Sequence, residues 1–170
     1  MTENKHLHEV AITAIIADKD GKFLIIRRSS NKKRFPSMWT VPGGKLETDD
    51  YLKLKKDTKF YWYNVLERTL RREVKEEVGL DIENIEYLTS LATVHEDGSP
   101  SLVISCIAEY AGGEITLQEG EADSYAWVTL NDAKGHNLID GIYDELVLAE
   151  NQRANRKRAE WARSQDTANQ

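Results

Sequence analysis

Three glutamates at a helical spacing are the residues of this chain best suited to chemistry. Glu73, Glu76 and Glu77 stand at positions i, i+3 and i+4, which on an α-helix fall within roughly a 100° arc of one face. Carboxylates this close repel one another, but a divalent cation such as Mg²⁺ reverses the penalty because it prefers oxygen ligands. A metal held there could neutralise a diphosphate and help activate water. The alternative is a solvated acidic face paired with lysine and arginine.

An amphipathic helix is predicted to carry these glutamates. From Val65 to Val78 an apolar side chain recurs at every fourth position, beginning at Leu66, which is the spacing of one buried helix face. Asn64 is a suitable N-cap, and Glu67 three residues later completes the pattern of a capping box. Gly79 is well placed to end the helix in a left-handed conformation.

The segments around the glutamates resemble the two ends of the Nudix box. Residues 72–80, Arg-Glu-Val-Lys-Glu-Glu-Val-Gly-Leu, match every specified position of its second half. Residues 42–47, Pro-Gly-Gly-Lys-Leu-Glu, resemble its opening, where two glycines suit a sharp loop and a close approach of the backbone. Together these features favour the metal site over the solvated acidic face.

The middle of the box departs from the family pattern. Counting from Gly44, the position of a family glutamate is taken by Asp50, a shorter carboxylate. Between Asp50 and Arg72 lie 21 residues where the box has seven, so an insertion of about fourteen residues is assigned to Tyr51–Tyr63. If the gap is drawn elsewhere, Asn64 takes the place of the glutamate. The salt link that this glutamate normally makes to Arg72 is therefore an open question.

The resemblance implies a hydrolase that uses Mg²⁺, with Mn²⁺ as a substitute, to cleave the diphosphate of a nucleoside diphosphate derivative. The implied catalytic residues are Arg72, which would orient the carboxylates, and Glu73 or Glu76, one of which would serve as general base. Glu121 resembles a further acid of the family, with Glu119 as its competitor. The implied metal ligands are the carbonyl of Gly44 and the carboxylates of Glu73, Glu76, Glu77 and Glu121.

Several other residues are candidates for binding substrate. Arg27, Arg28 and Lys45 could contact phosphate, although each could equally be an ordinary surface cation. Trp39 could stack on a base, but a tryptophan beside a proline is as often part of the core. The insertion combines lysines with aromatic residues and could form a lid over a nucleotide. Its alternatives are an extension of the helix packed on the sheet and a dimer contact.

Composition and charge set the class of protein. The 170 residues, 40% hydrophobic, suit one domain over residues 1–163, with a flexible tail over 164–170. The net charge of −6 argues against a nucleic-acid polymer as partner. Neither a signal peptide nor a membrane span is recognisable, so the cytoplasm is the expected location. The single Cys106 lies in an apolar run and is interpreted as a buried thiol.

Several strands together with a central and a C-terminal helix predict an α/β fold, in which helices cover the faces of the sheet. Glu9 to Ala17 and Lys22 to Arg27 are predicted to form a hairpin. Further strands are expected at Ile85 to Val94, Leu102 to Tyr110, near Ile115 to Leu117 and at Ser124 to Leu130, with a final helix from Ile139 to roughly Ala162. The resemblance implies an α/β/α sandwich with a mixed β-sheet, a central box helix and a C-terminal helix.

A Mg²⁺-dependent hydrolase is the leading hypothesis, with a nucleoside triphosphate favoured over a nucleotide sugar as substrate. A small nucleotide is the expected partner, and a homodimer is an open alternative to the monomer. Two other hypotheses remain. One is a non-catalytic nucleotide-sensing domain, although such domains usually lose box carboxylates and this chain keeps all three. The other is an enzyme like isopentenyl-diphosphate isomerase, against which the mid-strand position of Cys106 argues.

Overall fold

The computed structural model describes residues 5–156 of the chain. Its strands are β1 (Glu9–Ala17), β2 (Phe23–Arg28), β3 (Trp39–Thr40), β4 (Gly43–Lys45), β5 (Asp81–Val94), β6 (Pro100–Gly112) and β7 (Ala122–Val128). Its helices are α1 (Asp49–Leu52), α2 (Val65–Val78), α3 (Leu130–Ala133) and α4 (Ile142–Asn155). No helix within the described range is long and apolar enough to cross a membrane.

A mixed sheet lies between two helical layers. Its strands follow the order β3-β2-β1-β6-β5, while β4 pairs with β1 and β7 pairs with β2. The β1–β6 pair is parallel, from Glu9 opposite Ser101 to Ala17 opposite Glu109, and the other pairs are antiparallel. The predicted α/β fold with a mixed sheet is confirmed.

Alternation along the inner strands builds both hydrophobic cores, because successive side chains of a strand point to opposite faces. On β1, Ile12 and Ile16 belong to the core that includes residues of α2, whereas Ile15 belongs to the core that includes residues of α4. The helices complete these cores with their own apolar faces. The buried helical residues are Leu70, Val74 and Val78 from α2, and Ile142, Tyr143, Leu146 and Ala149 from α4.

The predicted box helix has the expected ends but not the expected cap. It spans Val65–Val78, and Gly79 ends it with φ 77°. The prediction that Asn64 caps its start was wrong, because the Asn64 side chain makes no capping hydrogen bond. With φ 53° and ψ 34° this residue is left-handed, whereas an N-cap needs an extended backbone to reach the first turn. The capping box with Glu67 is absent for the same reason.

The segment between β6 and β7 is hydrogen-bonded to the end of α2. It does not form the short strand expected near residues 115–117. The N–H of Thr116 donates to the carbonyl of Val78 at 3.0 Å, and the N–H of Gln118 donates to that of Glu77 at 2.9 Å. These bonds satisfy carbonyls at the end of α2 that have no partner inside the helix. The backbone is therefore used to cap the helix and not to extend the sheet.

The last helix starts later than predicted. Ile139 lies beside β3, where its N–H donates to the carbonyl of Trp39 at 2.9 Å, and α4 begins at Ile142 after Gly141 with φ 90°. The predicted end near Ala162 and the tail at residues 164–170 lie outside the described residues.

The insertion forms a compact loop organised around Trp62. The Trp62 ring lies 5.3 Å from that of Tyr51, and its indole N–H donates to the carbonyl of Leu54 at 3.0 Å. The ammonium of Lys56 stands 4.9 Å from the ring centre. The alternative in which the insertion extends the helix is therefore wrong, because a loop joins α1 to α2. The exposed large hydrophobic side chains of this loop are Leu52, Leu54, Phe60, Tyr61 and Tyr63.

Candidate active site

The most buried carboxylate of the box helix is that of Glu77. Its residue is only 8% exposed, and its Oε2 accepts a hydrogen bond of 3.0 Å from the N–H of Gly43. Burial raises the pKa of Glu77 to about 7, against the lowering effect of this bond, and the charges of Glu121 and Glu73 raise it further. The nearby charge of Arg28 lowers it. The fold thus concentrates negative charge around one largely buried side chain.

The pair of glycines brings the backbone of β4 against the box helix. Strand β4 pairs with β1, with Gly43 opposite Thr13 and Gly44 opposite Ile12. A Cβ at Gly44 would lie 2.1 Å from the carboxyl carbon of Glu73, so only glycine lets that carboxylate approach the chain so closely. Burial is also the main reason that the pKa of Glu73 is raised. The Glu73 carboxylate therefore lies directly against the glycine loop.

Arg72 binds three carboxylates at once. Its guanidinium donates to Asp50 Oδ1 at 2.5 Å and Oδ2 at 3.1 Å, and it reaches Glu73 and Glu76 at 2.9 Å each. These contacts, of which the bond to Asp50 has the largest effect, raise the pKa of the guanidinium. This two-pronged contact with Asp50 suits the planar fork of arginine. Arg72 thereby orients both glutamates beside it.

Asp50 makes the salt link that was in question. Only 5% of its side chain is exposed, and it also accepts hydrogen bonds from the N–H of Glu47 at 2.8 Å and the hydroxyl of Thr69 at 3.1 Å. Burial raises the pKa of Asp50, but the bonds from Arg72, Glu47 and Thr69 outweigh it and hold the pKa below its usual value. The insertion therefore follows Asp50, and Asn64 does not take the place of the glutamate.

Asp50→Asn is expected to lower the free energy of unfolding by about 2 kcal/mol, since it removes one partner of a largely buried ion pair. Loss of the contact also frees Arg72 to turn, and a fall in kcat of about tenfold is expected from misplaced glutamates. Urea denaturation and steady-state kinetics check both effects. Asp49→Asn is the matched control, because Asp49 is exposed and, among the side chains of residues 5–156, pairs with Lys53 alone. Equal behaviour of the two variants would contradict the assignment.

Glu121 faces the same cluster from the loop before β7. The carbonyl of Glu121 accepts a hydrogen bond of 2.9 Å from the N–H of Ser29, and its carboxylate lies 2.5 Å from the ammonium of Lys32. Since the charge of Glu121 acts on Glu77, the loop and the box helix share one electrostatic field. Lys32 was not predicted from the sequence. The only available signal was the basic character of the loop after β2.

The four predicted substrate-binding residues have different surroundings in the structure. The charge of Arg28 lowers the pKa of Glu77. Its guanidinium also donates a hydrogen bond of 3.0 Å to the carbonyl of Arg34. Arg27 pairs with Asp123 at 2.7 Å and Lys45 pairs with Glu9 at 3.0 Å, both at the surface. Trp39 packs against the core beside α4, with the ring of His136 edge-on at 4.6 Å. These contacts of Trp39 favour a structural role over base stacking.

The side chains fit a divalent cation only after a change of partners. Among residues 5–156, no three acidic, histidine or cysteine side chains are already arranged to hold a metal ion. The reason is that Glu73 and Glu76 are turned to Arg72, and Glu121 to Lys32. The donor set is nevertheless all oxygen, as Mg²⁺ and Mn²⁺ require. A cation would compensate the charge that Glu73 and Glu121 place around the buried Glu77.

A family model described as the NUDIX domain matches residues 7–147. This chain belongs to the Nudix family. Nudix hydrolases use divalent metal ions and act on small nucleotide substrates, which accords with the oxygen-rich cluster on the box helix.

Named relatives place the chain among hydrolases. It is 37% identical over 127 residues to the NAD-capped RNA hydrolase NudC of Chromobacterium violaceum, covering 75% of this chain and 41% of that protein. The chain therefore spans less than half of that relative. It is 24% identical over 148 residues to the nucleoside triphosphatase NudI of Klebsiella pneumoniae, covering 78% of this chain and 90% of that protein.

Solved structures of other proteins share this fold. The MutT NUDIX hydrolase of Burkholderia pseudomallei has a TM-score of 0.65 and is 23% identical, covering 84% of this chain and 98% of that one. The chain thus has the α/β architecture of the Nudix family.

Proposed function

We propose that this Nudix hydrolase cleaves nucleoside triphosphates to the monophosphate and pyrophosphate with Mg²⁺ as cofactor. The observation that carries the proposal is the buried Glu77 carboxylate, which lies in the field of Glu73 and Glu121 beside the glycine loop. Support for a triphosphate comes from the NudI relative, which matches over most of its length. A nucleotide sugar is the second substrate class.

The proposed metal ligands are the carboxylates of the box helix and of the loop before β7, together with one backbone oxygen. Bound there, Mg²⁺ supplies charge neutralisation for the diphosphate and lowers the pKa of a water ligand. The ligands are the carbonyl of Gly44 and the side chains of Glu73, Glu76, Glu77 and Glu121.

The remaining residues bind, orient and move a proton. Either Glu73 or Glu76 accepts a proton from the attacking water. The oxygen of that water forms a bond to phosphorus while the bond from phosphorus to the bridging oxygen breaks and pyrophosphate leaves. Arg72 orients both glutamates through its contacts with them. Arg28, whose charge acts on Glu77, and Lys32, which pairs with Glu121, are the cations proposed to bind phosphate oxygens. Exposed ion pairs such as those of Arg27 and Lys45 are worth only about 0–1 kcal/mol, so both cations can change partners readily.

A substrate panel tests the proposal. Nucleoside triphosphates, a nucleotide sugar, ADP-ribose, NAD and a dinucleoside polyphosphate are incubated with Mg²⁺, and the products are separated by chromatography. The expected result is the highest kcat/KM on a triphosphate, with pyrophosphate released. A higher kcat/KM on NAD than on every triphosphate would contradict the proposed substrate and direct the search to NAD-capped RNA, for which the NudC relative is named. Tight binding without turnover across the panel would support the nucleotide sensor and overturn the proposal.

The environment of Cys106 argues against the isomerase hypothesis. Cys106 is 5% exposed, and burial is the main cause that raises its pKa to about 11. A thiol held protonated in the core is poorly suited to act on a substrate. The interpretation of Cys106 as a buried structural residue is confirmed by this burial.

The insertion is proposed as a lid that contacts the bound nucleotide. Deletion of residues 51–63 would disturb α1 and with it Asp50, so exposed side chains are the better targets. The triple variant Lys59→Gln, Phe60→Ser and Tyr61→Ser is expected to raise KM about tenfold, because loss of stacking on a base costs roughly 1–3 kcal/mol. kcat and the melting temperature should not change, since these side chains are exposed.

Steady-state kinetics and thermal melting check this result. Tyr125→Ser serves as control, because it removes another exposed aromatic ring, on β7. An unchanged KM in the triple variant would rule out the lid.

A further inference from the structure

The outer edge of β5 carries no charged side chain over eight residues. From Tyr87 to Val94 the sequence is Tyr-Leu-Thr-Ser-Leu-Ala-Thr-Val. Strand β5 is the last of the sheet and bonds to β6 on one side; within residues 5–156 no strand covers its other side. Leu91 is 42% exposed and Val94 is 71% exposed. An uncharged strand edge with exposed apolar side chains is thus open to a partner.

The features that normally protect an edge strand are missing from this stretch. Such edges are usually short, kinked by bulges, interrupted by proline or lined with charge. Strand β5 has 14 residues, and its pairing with β6 runs without a shift from Thr89 opposite Ser105 to Val94 opposite Pro100. The irregularities of this pair all lie before Thr89. Residues 89–94 therefore present a regular row of backbone donors and acceptors.

We propose that this edge is the interface of a homodimer, in which β5 of two copies pair antiparallel and join their sheets. A two-fold axis perpendicular to the sheet lets the same edge serve both copies, so that the contact closes on itself. Opposed residues of such a pair must share a face of the sheet. With the axis at Leu91, Ser90 lies opposite Ala92 and Thr89 lies opposite Thr93 of the second copy.

The side chains of this arrangement favour a second copy over an unrelated partner. Every opposed pair is uncharged, and cross-strand threonine pairs such as Thr89 with Thr93 stabilise a sheet. Leu91 meets its own copy on the face that Val103 shares, and this contact removes an exposed leucine from water. Each copy carries a net charge of −6, so the dimer should become tighter as salt screens the repulsion.

Sedimentation velocity of the full chain tests the proposal, independently of any activity. The wild type is expected at twice the mass of the 19.4 kDa chain, and Leu91→Arg is expected to be a monomer because the new charges face each other across the axis. Tyr61→Arg is the matched control, since it places the same charge on an exposed aromatic of the insertion, and it should remain a dimer. Circular dichroism confirms that each variant is folded; Thr93→Lys replaces Leu91→Arg if the latter does not fold.

A cross-link tests the position of the axis. Leu91→Cys should form a covalent dimer on mild oxidation, because residue 91 lies opposite its own copy and the native Cys106 is buried. A wild type that stays monomeric throughout a concentration series, or a Leu91→Arg variant that still dimerises, would overturn the proposal. Loss of the dimer in Tyr61→Arg alone would move the interface to the insertion and overturn it as well.

Discussion

Glu77→Gln is expected to lower kcat at saturating Mg²⁺ by at least about 100-fold, because it removes a carboxylate proposed to hold the metal, whose charge stabilisation is worth several kcal/mol. The variant should still fold, since the amide oxygen of glutamine can accept the same hydrogen bond from Gly43. Steady-state kinetics over a Mg²⁺ titration provide the measurement. Glu67→Gln on the first turn of the same helix is the control and should keep full activity.

The same substitution should stabilise the metal-free protein at neutral pH. The folded-state pKa of Glu77 is about 7, raised from 4.5, so the folded state favours the protonated carboxyl. This contribution is fully present below pH 4.5 and is lost as the pH rises through about 7. A shift of this size corresponds to roughly 3 kcal/mol. Urea denaturation in EDTA should therefore show Glu77→Gln gaining stability over the wild type between these two pH values.

Added Mg²⁺ should reverse this difference. A ligand that binds only the folded state raises its stability, so the wild type should gain more from Mg²⁺ than the variant does. A wild type whose stability does not respond to Mg²⁺, or a variant that retains turnover, would contradict the role proposed for Glu77.

The two glycines of the loop should fail in different ways when changed to alanine. A Cβ at Gly43 would lie 2.3 Å from the carbonyl oxygen of Ile12 and 2.7 Å from the Cα of Thr13, and φ is +157°. Both contacts are with backbone that is held in the β1–β4 pair, so the strand must move. Gly43→Ala is expected to lower the free energy of unfolding by about 3 kcal/mol.

Gly44→Ala should instead spare the fold and impair catalysis. The nearest atoms to a Cβ at Gly44 are the carboxylate atoms of Glu73, between 2.1 and 2.4 Å away. These form the end of a flexible side chain, which can rotate away at small cost but would then leave the loop. A loss in kcat of about 100-fold is expected, with a melting temperature near that of the wild type.

Thermal melting and kinetics of the two variants, side by side, separate these effects. Gly98→Ala is a control for the substitution itself, because no atom lies within 4 Å of a Cβ there, although φ is positive. If Gly44→Ala kept full activity, the close contact between Glu73 and the loop would not be part of the catalytic arrangement.

Local patterns predicted the part of the site that lies on one helix. The apolar period from Leu66 to Val78 placed α2 at its observed bounds, and Gly79 marked its end, because both signals depend only on neighbouring residues. The predicted helix therefore also placed the glutamates together on one of its faces. The strands of the sheet were also recognisable from their runs of branched side chains, with bounds shifted by a few residues.

Contacts between distant segments were not visible in the sequence. Asp50 contacts Arg72 because residues 51–63 form a loop that brings the two ends of the insertion together. The composition of the loop does not predict which residues lie side by side at its ends. Lys32 reaches Glu121 because β2 and β7 pair, a register that sequence alone does not give. Asn64 had the composition of a cap, but the loop before it imposes a left-handed backbone that no cap can use.

Metal dependence of turnover shows most directly whether the carboxylates of α2 form a metal-dependent centre for diphosphate hydrolysis. Pyrophosphate release from a nucleoside triphosphate is measured for the wild type and for Glu76→Gln, first in EDTA and then along a Mg²⁺ titration. We expect no turnover in EDTA, recovery with Mg²⁺ in the wild type, and a loss of about 100-fold in the variant. Turnover that persists in EDTA, or that survives unchanged in Glu76→Gln, would contradict it.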